Sequence, residues 1–191
     1  QKTMRLAQQL YEGVELKDAG TVGIITYLRT DSTRVAEEAV AMARDYITET
    51  YGSEYAAQDT TEKKNGQKIQ DAHEAIRPTN IRYTPAELKD IRRLPVKVKE
   101  SLSRDQFRLY QLIWKRFTAS RMSNARYETT SVKIDAGNHR FTVAASKLAY
   151  DGFMSVYRDD EDEKQESNTL VKDITKDTQL KLSEFEPKQH F

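Results

Sequence analysis

The chain has 191 residues, of which 37% are hydrophobic and 32% are charged. This length allows one domain or two small ones, each with a buried core. The chain contains no cysteine, which excludes disulfides and cysteine-ligated zinc and is compatible with a reducing compartment. No apolar run approaches the length of a membrane span, and the N-terminus lacks a signal-peptide pattern. Because the sequence begins with Gln1, we expect an excised or processed segment.

The formal net charge is +1, so the overall balance of charge does not indicate a nucleic-acid partner. The distribution of charge is more informative, because basic residues dominate the stretch from Arg77 to Arg126 and an acidic run occupies residues 159–163. A basic region separated from an acidic one favours a polyanionic partner for one part of the molecule. Two solvated surfaces would produce the same pattern, and composition alone leaves both alternatives open.

The first elements are predicted to be helix, strand and helix. Apolar spacing predicts a helix over residues 2–11, and an apolar run over residues 22–25 predicts a short buried strand. Ser32 or Thr33 can cap the second helix, which we expect to end at Tyr51, just before a glycine. The predicted apolar stripe of this helix comprises Val35, Ala39, Met42, Tyr46 and Ile47.

The middle of the chain is predicted to contain a loop and two further helices. Residues 53–70 are polar and predict an exposed loop. A capping box at residues 84–87 predicts a short helix, and Ser103 with Gln106 predicts the start of the longest helix. The apolar face of that helix comprises Phe107, Tyr110, Leu112, Ile113, Trp114 and Phe117. We interpret its aromatic residues as core and not as a platform for stacked bases.

The hydrophobic period changes to two near residue 122, which indicates β-strands. Residues 127–134 and 139–145 alternate around a turn signal and predict a hairpin, and residues 177–185 predict a last strand. The predicted fold class is therefore α+β. It consists of a mainly helical domain over residues 1–121, which carries the candidate tyrosine, and an antiparallel β segment over residues 122–191.

The candidate site begins at Tyr27 and Arg29, directly after the predicted first strand. Side chains alternate along an extended segment, so these two should point the same way. A phenol can act as a covalent nucleophile, and an arginine binds phosphate through two parallel hydrogen bonds. The helix N-terminus that follows favours anions. The pair predicts a phosphate-attacking site, and the alternative is a half-buried structural tyrosine beside a surface arginine.

Three segments strengthen the first interpretation. They are GIITYLRTDST at residues 23–33, DAHEAIRPT at residues 71–79 and LYQLIWKRFTAS at residues 109–120. In this order they resemble the signature motifs of type IA DNA topoisomerases. Leu28 stands where the topoisomerase III branch usually has proline, so the chain is most similar to the bacterial topoisomerase I branch.

The resemblance implies that Tyr27 attacks a phosphodiester of single-stranded DNA, becomes linked to the 5′-phosphate and frees a 3′-hydroxyl. The reverse attack would reseal the strand without ATP, and the whole enzyme would relax negatively supercoiled DNA by these two steps. Arg29 would stabilise the charge that develops on the phosphoryl oxygens. His73 would contact the scissile region or handle a proton, and its alternative is a surface histidine bonded to a loop.

The same motifs supply three candidate DNA-binding residues, which are Arg77, Thr30 and Asp31. Arg77 would bind a backbone phosphate, although its spacing from Glu74 also allows a structural ion pair. For Thr30 and Asp31 we favour a role in shaping the turn after Arg29 over a role in the chemistry.

The resemblance also implies magnesium, held by acidic residues of a separate domain, with no metal ion or other cofactor bound by this chain. Residues 160–163 contain Asp-x-Asp, but they lie in an all-acidic run with Lys164 in the place of the final acid. We interpret this run as solvated surface. The chain would then be an incomplete enzyme, consisting of the tyrosine-bearing domain and part of a β-rich hinge domain, and inactive alone.

The expected partners are single-stranded DNA and the remaining domains of the same enzyme, namely the metal-binding domain and the base of the ring. No membrane partner is expected, and the expected location is the bacterial cytoplasm, in association with the nucleoid. The competing hypothesis is a non-catalytic module that binds single-stranded nucleic acid through its basic helices. Covalent attachment of Tyr27 to DNA distinguishes the two hypotheses.

Overall fold

The computed structural model describes residues 1–16, 20–57, 73–85, 102–158, 175–184 and 186–187. Within these ranges the elements are α1 (Lys2–Glu12), β1 (Val14–Leu16), β2 (Gly20–Val22), α2 (Glu37–Tyr51), α3 (Arg104–Ser120), β3 (Arg126–Ala136) and β4 (His139–Tyr150). Short 3₁₀ turns occupy Ser53–Tyr55 and Gly152–Ser155. The α+β fold class is confirmed, with the helices before the long strands. No described helix is long and apolar enough to cross a membrane.

The region before Tyr27 differs from its predicted form. Helix α1 is confirmed, but β2 ends at Val22 and pairs with β1 in a small antiparallel hairpin that the sequence did not predict. Ile24 and Ile25 are fully buried, as expected, but they lie beyond β2. Ile25 forms a single bridge with Pro78. No ladder extends from it, because the N–H of Arg77 donates to the Thr26 hydroxyl and not to a backbone carbonyl.

Helix α2 begins at Glu37, so the predicted start at residue 33 is wrong. The Ser32 hydroxyl accepts a hydrogen bond from the N–H of Arg34 at 3.2 Å, which makes a local turn instead of a helix cap. The carbonyl of Arg34 accepts from a distant backbone N–H, that of Ala75, at 2.8 Å. These bonds hold the preceding residues outside the helix. The predicted end at Tyr51 is confirmed.

The apolar stripe of α2 was predicted correctly only in part. Ala39 and Ile47 are buried together with Ala43, whereas Met42 is exposed. Val35 and Tyr46 pack against the core from partly buried positions. The buried face of α2 therefore runs through Ala39, Ala43 and Ile47 and excludes Met42.

Helix α3 begins with the predicted capping box. The Ser103 hydroxyl accepts from the N–H of Gln106 at 3.3 Å, and the Gln106 side chain accepts from the N–H of Ser103 at 2.8 Å. Tyr110 and Trp114 are buried, and each donates to a backbone carbonyl of the segment at residues 81–83. The assignment of these aromatics to the core is confirmed. Leu112 is exposed, so its predicted place on the buried face is wrong.

Strands β3 and β4 form the predicted hairpin, and both are longer than predicted. The loop is two residues long, and its first residue, Gly137, has φ +61°. A positive φ at this position is what tight hairpin turns require, and glycine adopts it without strain. The Arg140 guanidinium donates to Asp135 at 2.6 Å across the strands, beside the turn.

The remaining predictions concern the ends of the chain and its loops. The predicted last strand is wrong where the structure describes it, because residues 178–184 are irregular. Residues 58–72, which form most of the predicted polar loop, lie outside the described residues, as do most of the predicted short helix after residue 85 and the acidic run.

The chain divides into two compact units. One comprises residues 1–126 and 149–159, and the other comprises residues 127–148 and 160–191. The first unit holds the main described core, in which α1, α2 and α3 contribute Leu10, Ala43, Ile47, Tyr110, Trp114 and Phe117. The predicted domain division at residue 121 stays a prediction.

Candidate active site

The segment that leads to Tyr27 is bound directly to the second motif. The N–H of Thr26 donates to the carbonyl of Arg77 at 2.9 Å, and the N–H of Thr79 donates to the carbonyl of Ile24 at 3.1 Å. The Thr79 hydroxyl adds a bond to the carbonyl of Gly23 at 2.9 Å. Two segments about 50 residues apart in the sequence are therefore held side by side, in a part of the chain that has little regular secondary structure.

Thr26 makes the central side-chain contact of this junction. Its hydroxyl donates to the carbonyl of Ala75 at 2.8 Å and accepts from the N–H of Arg77 at 2.9 Å. The hydroxyl thus satisfies two backbone groups that would otherwise need water. Because Thr26 directly precedes Tyr27, this junction fixes where the backbone of Tyr27 lies relative to the second motif and its His73.

Tyr27 is 53% exposed, whereas Ile24 and Ile25 just before it are fully buried. Its ring lies 6.3 Å from the ring of His73, between centroids, and 5.4 Å from the ring of Tyr11. Its hydroxyl makes no hydrogen bond to another described residue, so the phenol oxygen is accessible to an incoming group. An exposed phenol with no hydrogen-bond partner among the described residues is available to act as a nucleophile.

Arg29 lies on the same side as Tyr27, because both contact His73. One terminal nitrogen of Arg29 is 3.5 Å from Nε2 of His73, and its Nε is 2.8 Å from a carboxylate oxygen of Asp31. The ion pair with Asp31 is more than 40% exposed on both sides. Exposed pairs of this kind contribute little to stability, so a phosphate can replace the carboxylate at low cost. Thr30 is exposed.

Arg77 is engaged within the protein. Its guanidinium makes an ion pair with Glu74 at 2.6 Å and donates to the carbonyl of Pro78 at 3.0 Å. The side chains of Arg77 and Glu74 are only 12% and 22% exposed. The structural ion pair that the spacing allowed is therefore present. A contact between Arg77 and phosphate stays a prediction.

The structure thus brings Tyr27, Arg29, Asp31 and His73 together and places the Arg77 side chain in a separate, more buried contact. Sequence reasoning missed Thr26 and Tyr11. Thr26 directly precedes the candidate tyrosine, and its hydroxyl could have indicated a side chain that positions the backbone there. Tyr11 is the penultimate residue of a helical pattern, and only the tertiary structure shows its ring against that of Tyr27.

The described residues contain no group of three or more histidine, aspartate or glutamate side chains that could hold a metal ion. The side chains around Tyr27 are one carboxylate already paired with an arginine, one histidine and one phenol. This set does not fit a magnesium site, since magnesium prefers an octahedron of oxygen ligands. The acidic run at residues 159–163 lies outside the described part of the chain.

The exposed phenol of Tyr27 can act as a nucleophile, and the guanidinium of Arg29 beside it can bind an anion such as phosphate. A family model described as DNA topoisomerase matches residues 1–191, the whole chain. The chain therefore belongs to the bacterial type IA DNA topoisomerases, a family of isomerases.

The chain is also similar to a solved structure, the full-length topoisomerase I of Thermotoga maritima. The two sequences are 44% identical, and the structures superpose with a TM-score of 0.65. The match covers 83% of this chain and 23% of that one. The chain thus spans about a quarter of the length of this relative.

Proposed function

We propose that this chain carries the catalytic tyrosine of a DNA topoisomerase and that Tyr27 is the nucleophile. The observation that supports this most strongly is the accessible phenol of Tyr27, held next to Arg29 and His73 where two distant motifs are hydrogen-bonded together. A site assembled from such distant segments requires the whole local fold to be formed. The expected reaction is transient cleavage of one DNA strand.

In the forward step the Tyr27 oxygen forms a bond to a backbone phosphorus. The bond from phosphorus to the 3′-oxygen breaks, the phenol loses its proton, and the departing 3′-oxygen gains one. The protein is then linked to the 5′-phosphate. In the reverse step the 3′-hydroxyl attacks the phosphotyrosine and restores both groups. Over cleavage and resealing together, the number and type of phosphoester bonds are unchanged, so resealing needs no ATP. The free energy released as negative supercoils relax drives the overall reaction.

Arg29 is assigned to the phosphate oxygens. Its fork of donors matches two of these oxygens, and Asp31 occupies part of that fork in the protein without DNA. His73 lies within reach of Arg29 and beside the Tyr27 ring, so it is placed to contact the scissile phosphate or to exchange a proton there. Arg77, Thr30 and Asp31 remain candidate contacts for the flanking DNA.

Single-stranded DNA is the proposed partner, bound in part by the basic stretch between Arg77 and Arg126. The other proposed partners are the metal-binding domain and the ring base of a longer enzyme. Magnesium is assigned to the metal-binding domain of the longer enzyme, where it would stabilise negative charge on phosphate. The proposed location is the bacterial cytoplasm, in association with the nucleoid.

The test uses the full-length enzyme and a labelled single-stranded oligonucleotide, with samples denatured before electrophoresis. Tyr27→Phe removes only the hydroxyl, so cleavage should disappear while DNA affinity and melting temperature stay near the wild-type values. Tyr157→Phe is a matched control in the same unit, outside the site, and should cleave normally. Cleavage by Tyr27→Phe at more than a few per cent of the wild-type level would show that another group is the nucleophile.

A second variant tests the role of Arg29. Arg29→Lys keeps the charge but loses the two-pronged fork, so the cleavage rate should fall by about 10²–10³, as for loss of one transition-state donor. DNA affinity should fall much less. Equal losses of rate and affinity would place Arg29 among plain binding residues, and normal cleavage by both variants would favour the non-catalytic binding module.

The isolated chain should bind single-stranded DNA weakly and form no covalent adduct, with or without magnesium. Weak binding is expected because neutralised phosphates release counterions, and affinity should therefore fall steeply with salt. An adduct formed by the isolated chain would show that Tyr27 needs no partner domain, which would contradict this part of the proposal.

A further inference from the structure

Helix α1 ends against the segment that leads to Tyr27. The N–H of Ile24 donates to the carbonyl of Leu10 at 2.9 Å, and Leu10 and Ile24 are both fully buried. A Cβ added to Gly23 would lie 2.3 Å from the carbonyl oxygen of Tyr11, so only glycine permits this approach. The backbones of Tyr11 and of the residues before Tyr27 are therefore held together in close contact.

The side chain of Tyr11 uses this fixed position to contact Tyr27. The two rings are 5.4 Å apart, between centroids, and meet edge to face at 64°. This is the preferred geometry for an aromatic pair. Tyr11 is itself 38% exposed, and its hydroxyl makes no hydrogen bond to another described residue. Its ring, and not its hydroxyl, therefore makes the contact with Tyr27.

We propose that Tyr11 is a positioning residue, whose ring holds the Tyr27 side chain in the rotamer that directs the phenol oxygen to the phosphate. An exposed tyrosine otherwise distributes among several staggered rotamers, and attack requires one of them. An edge-to-face pair favours one arrangement by a factor of about 2 to 10. This inference rests on the proposed function, because it concerns the orientation of the proposed nucleophile.

The position of Tyr11 explains why a contact from α1 suits this role. The His73 ring also contacts Tyr27, at 6.3 Å, but His73 is assigned to the phosphate and to Arg29 and has to adjust when DNA binds. Among the described residues, the Tyr11 side chain makes no second ring contact and no hydrogen bond. The backbone of Tyr11 is fixed by the end of α1 and by Gly23, so its ring approaches Tyr27 from a fixed position of the main chain.

The test uses the full-length enzyme with Tyr11→Leu, Tyr11→Phe and a control, Met4→Ala. Met4 lies on the exposed face of the same helix and contributes to none of the contacts described. Single-turnover cleavage of a labelled oligonucleotide gives the rate. DNA affinity is measured by fluorescence anisotropy in the Tyr27→Phe background, so that no covalent product forms.

Tyr11→Leu should lower the cleavage rate by a factor of about 2 to 10 and leave DNA affinity and melting temperature near the control values. Tyr11→Phe keeps the ring and should restore at least half of the wild-type rate. A wild-type rate for Tyr11→Leu would overturn the proposal. An equal loss of DNA affinity would also overturn it, because Tyr11 would then be a DNA contact. A lowered melting temperature that accounts for the lost rate, or a Tyr11→Phe rate as low as that of Tyr11→Leu, would overturn it too. None of these results affects the assignment of Tyr27, which fails only if Tyr27→Phe still cleaves.

Discussion

Replacing Thr26 by valine removes one hydroxyl from the junction of the two motifs and changes the shape of the side chain very little. The hydroxyl donates to the carbonyl of Ala75 and accepts from the N–H of Arg77, at 2.8 and 2.9 Å. Both backbone groups lose a partner in the variant. We therefore expect a loss of stability together with a loss of cleavage, because Tyr27 and His73 are held in place by the same junction.

The expected loss of stability in Thr26→Val follows from the two hydrogen bonds that are removed at a partly buried site. Each such bond contributes about 0.5–1.5 kcal/mol net, and a fully buried unpaired group would cost about 1–3 kcal/mol. Thr26 is half-buried, so water reaches part of the junction and the lower range applies. We expect the free energy of unfolding to fall by about 1–2 kcal/mol, and the cleavage rate to fall by about tenfold or more, since small displacements of a nucleophile are costly.

Urea unfolding of this chain measures the stability, and oligonucleotide cleavage by the full-length enzyme measures the rate. Thr26→Ser keeps the hydroxyl and should recover most of both quantities. Thr129→Val is the matched control, because the Thr129 hydroxyl bonds to Ser146 at an exposed position where water replaces it. Its cost should stay below about 0.5 kcal/mol. Equal stabilities for Thr26→Val and wild type would refute the role given to this junction.

Two further predictions concern the packing and the pH dependence of the first unit. Gly23→Ala places a Cβ against the carbonyl of Tyr11, so urea unfolding should show a loss of about 1–3 kcal/mol, and wild-type stability would contradict the close approach. The second concerns Tyr55, whose hydroxyl donates to Asp151 at 2.7 Å, and this bond, with some burial, raises the pKa of Tyr55 to about 12. The folded state thus favours the neutral phenol, so the stabilisation is complete below about pH 10, the ordinary pKa of tyrosine, and is lost as the pH rises through about 12. The urea midpoint of Tyr55→Phe should accordingly lie below that of wild type at pH 8 and approach it at high pH, whereas a constant difference would contradict this coupling.

Local signals in the sequence predicted those features that depend on neighbouring residues. The capping box at Ser103 and the aromatic core of α3 needed only the spacing within one helix. The resemblance assigned Arg29 and His73 to the same site without predicting their contact, and the structure places the two side chains 3.5 Å apart. The short strand β2 and the late start of α2 could not be predicted in this way, because bonds to residues 75–79 compete with regular structure there.

The buried faces show the same limit. Met42 fits a helical stripe by spacing, yet it is exposed, because the orientation of α2 is set by its packing against other elements. The contact of Tyr11 with Tyr27 joins residues in different elements, and no local pattern encodes it. Residues 178–184 alternate like a strand but are irregular in the structure, since a strand also requires a partner to which it can hydrogen-bond.

In the proposed reaction Tyr27 becomes covalently linked to DNA, and mass spectrometry of a trapped adduct can locate this link. The full-length enzyme is incubated with an oligonucleotide, denatured, and digested with trypsin and nuclease. Trypsin cuts after Lys17 and Arg29, so Tyr27 is the sole tyrosine of the peptide at residues 18–29, and Tyr11 falls in the preceding peptide. We expect a nucleotide attached through a 5′-phosphate to Tyr27 in the peptide at residues 18–29. An adduct on any other peptide, or none from an enzyme that relaxes DNA, would contradict it.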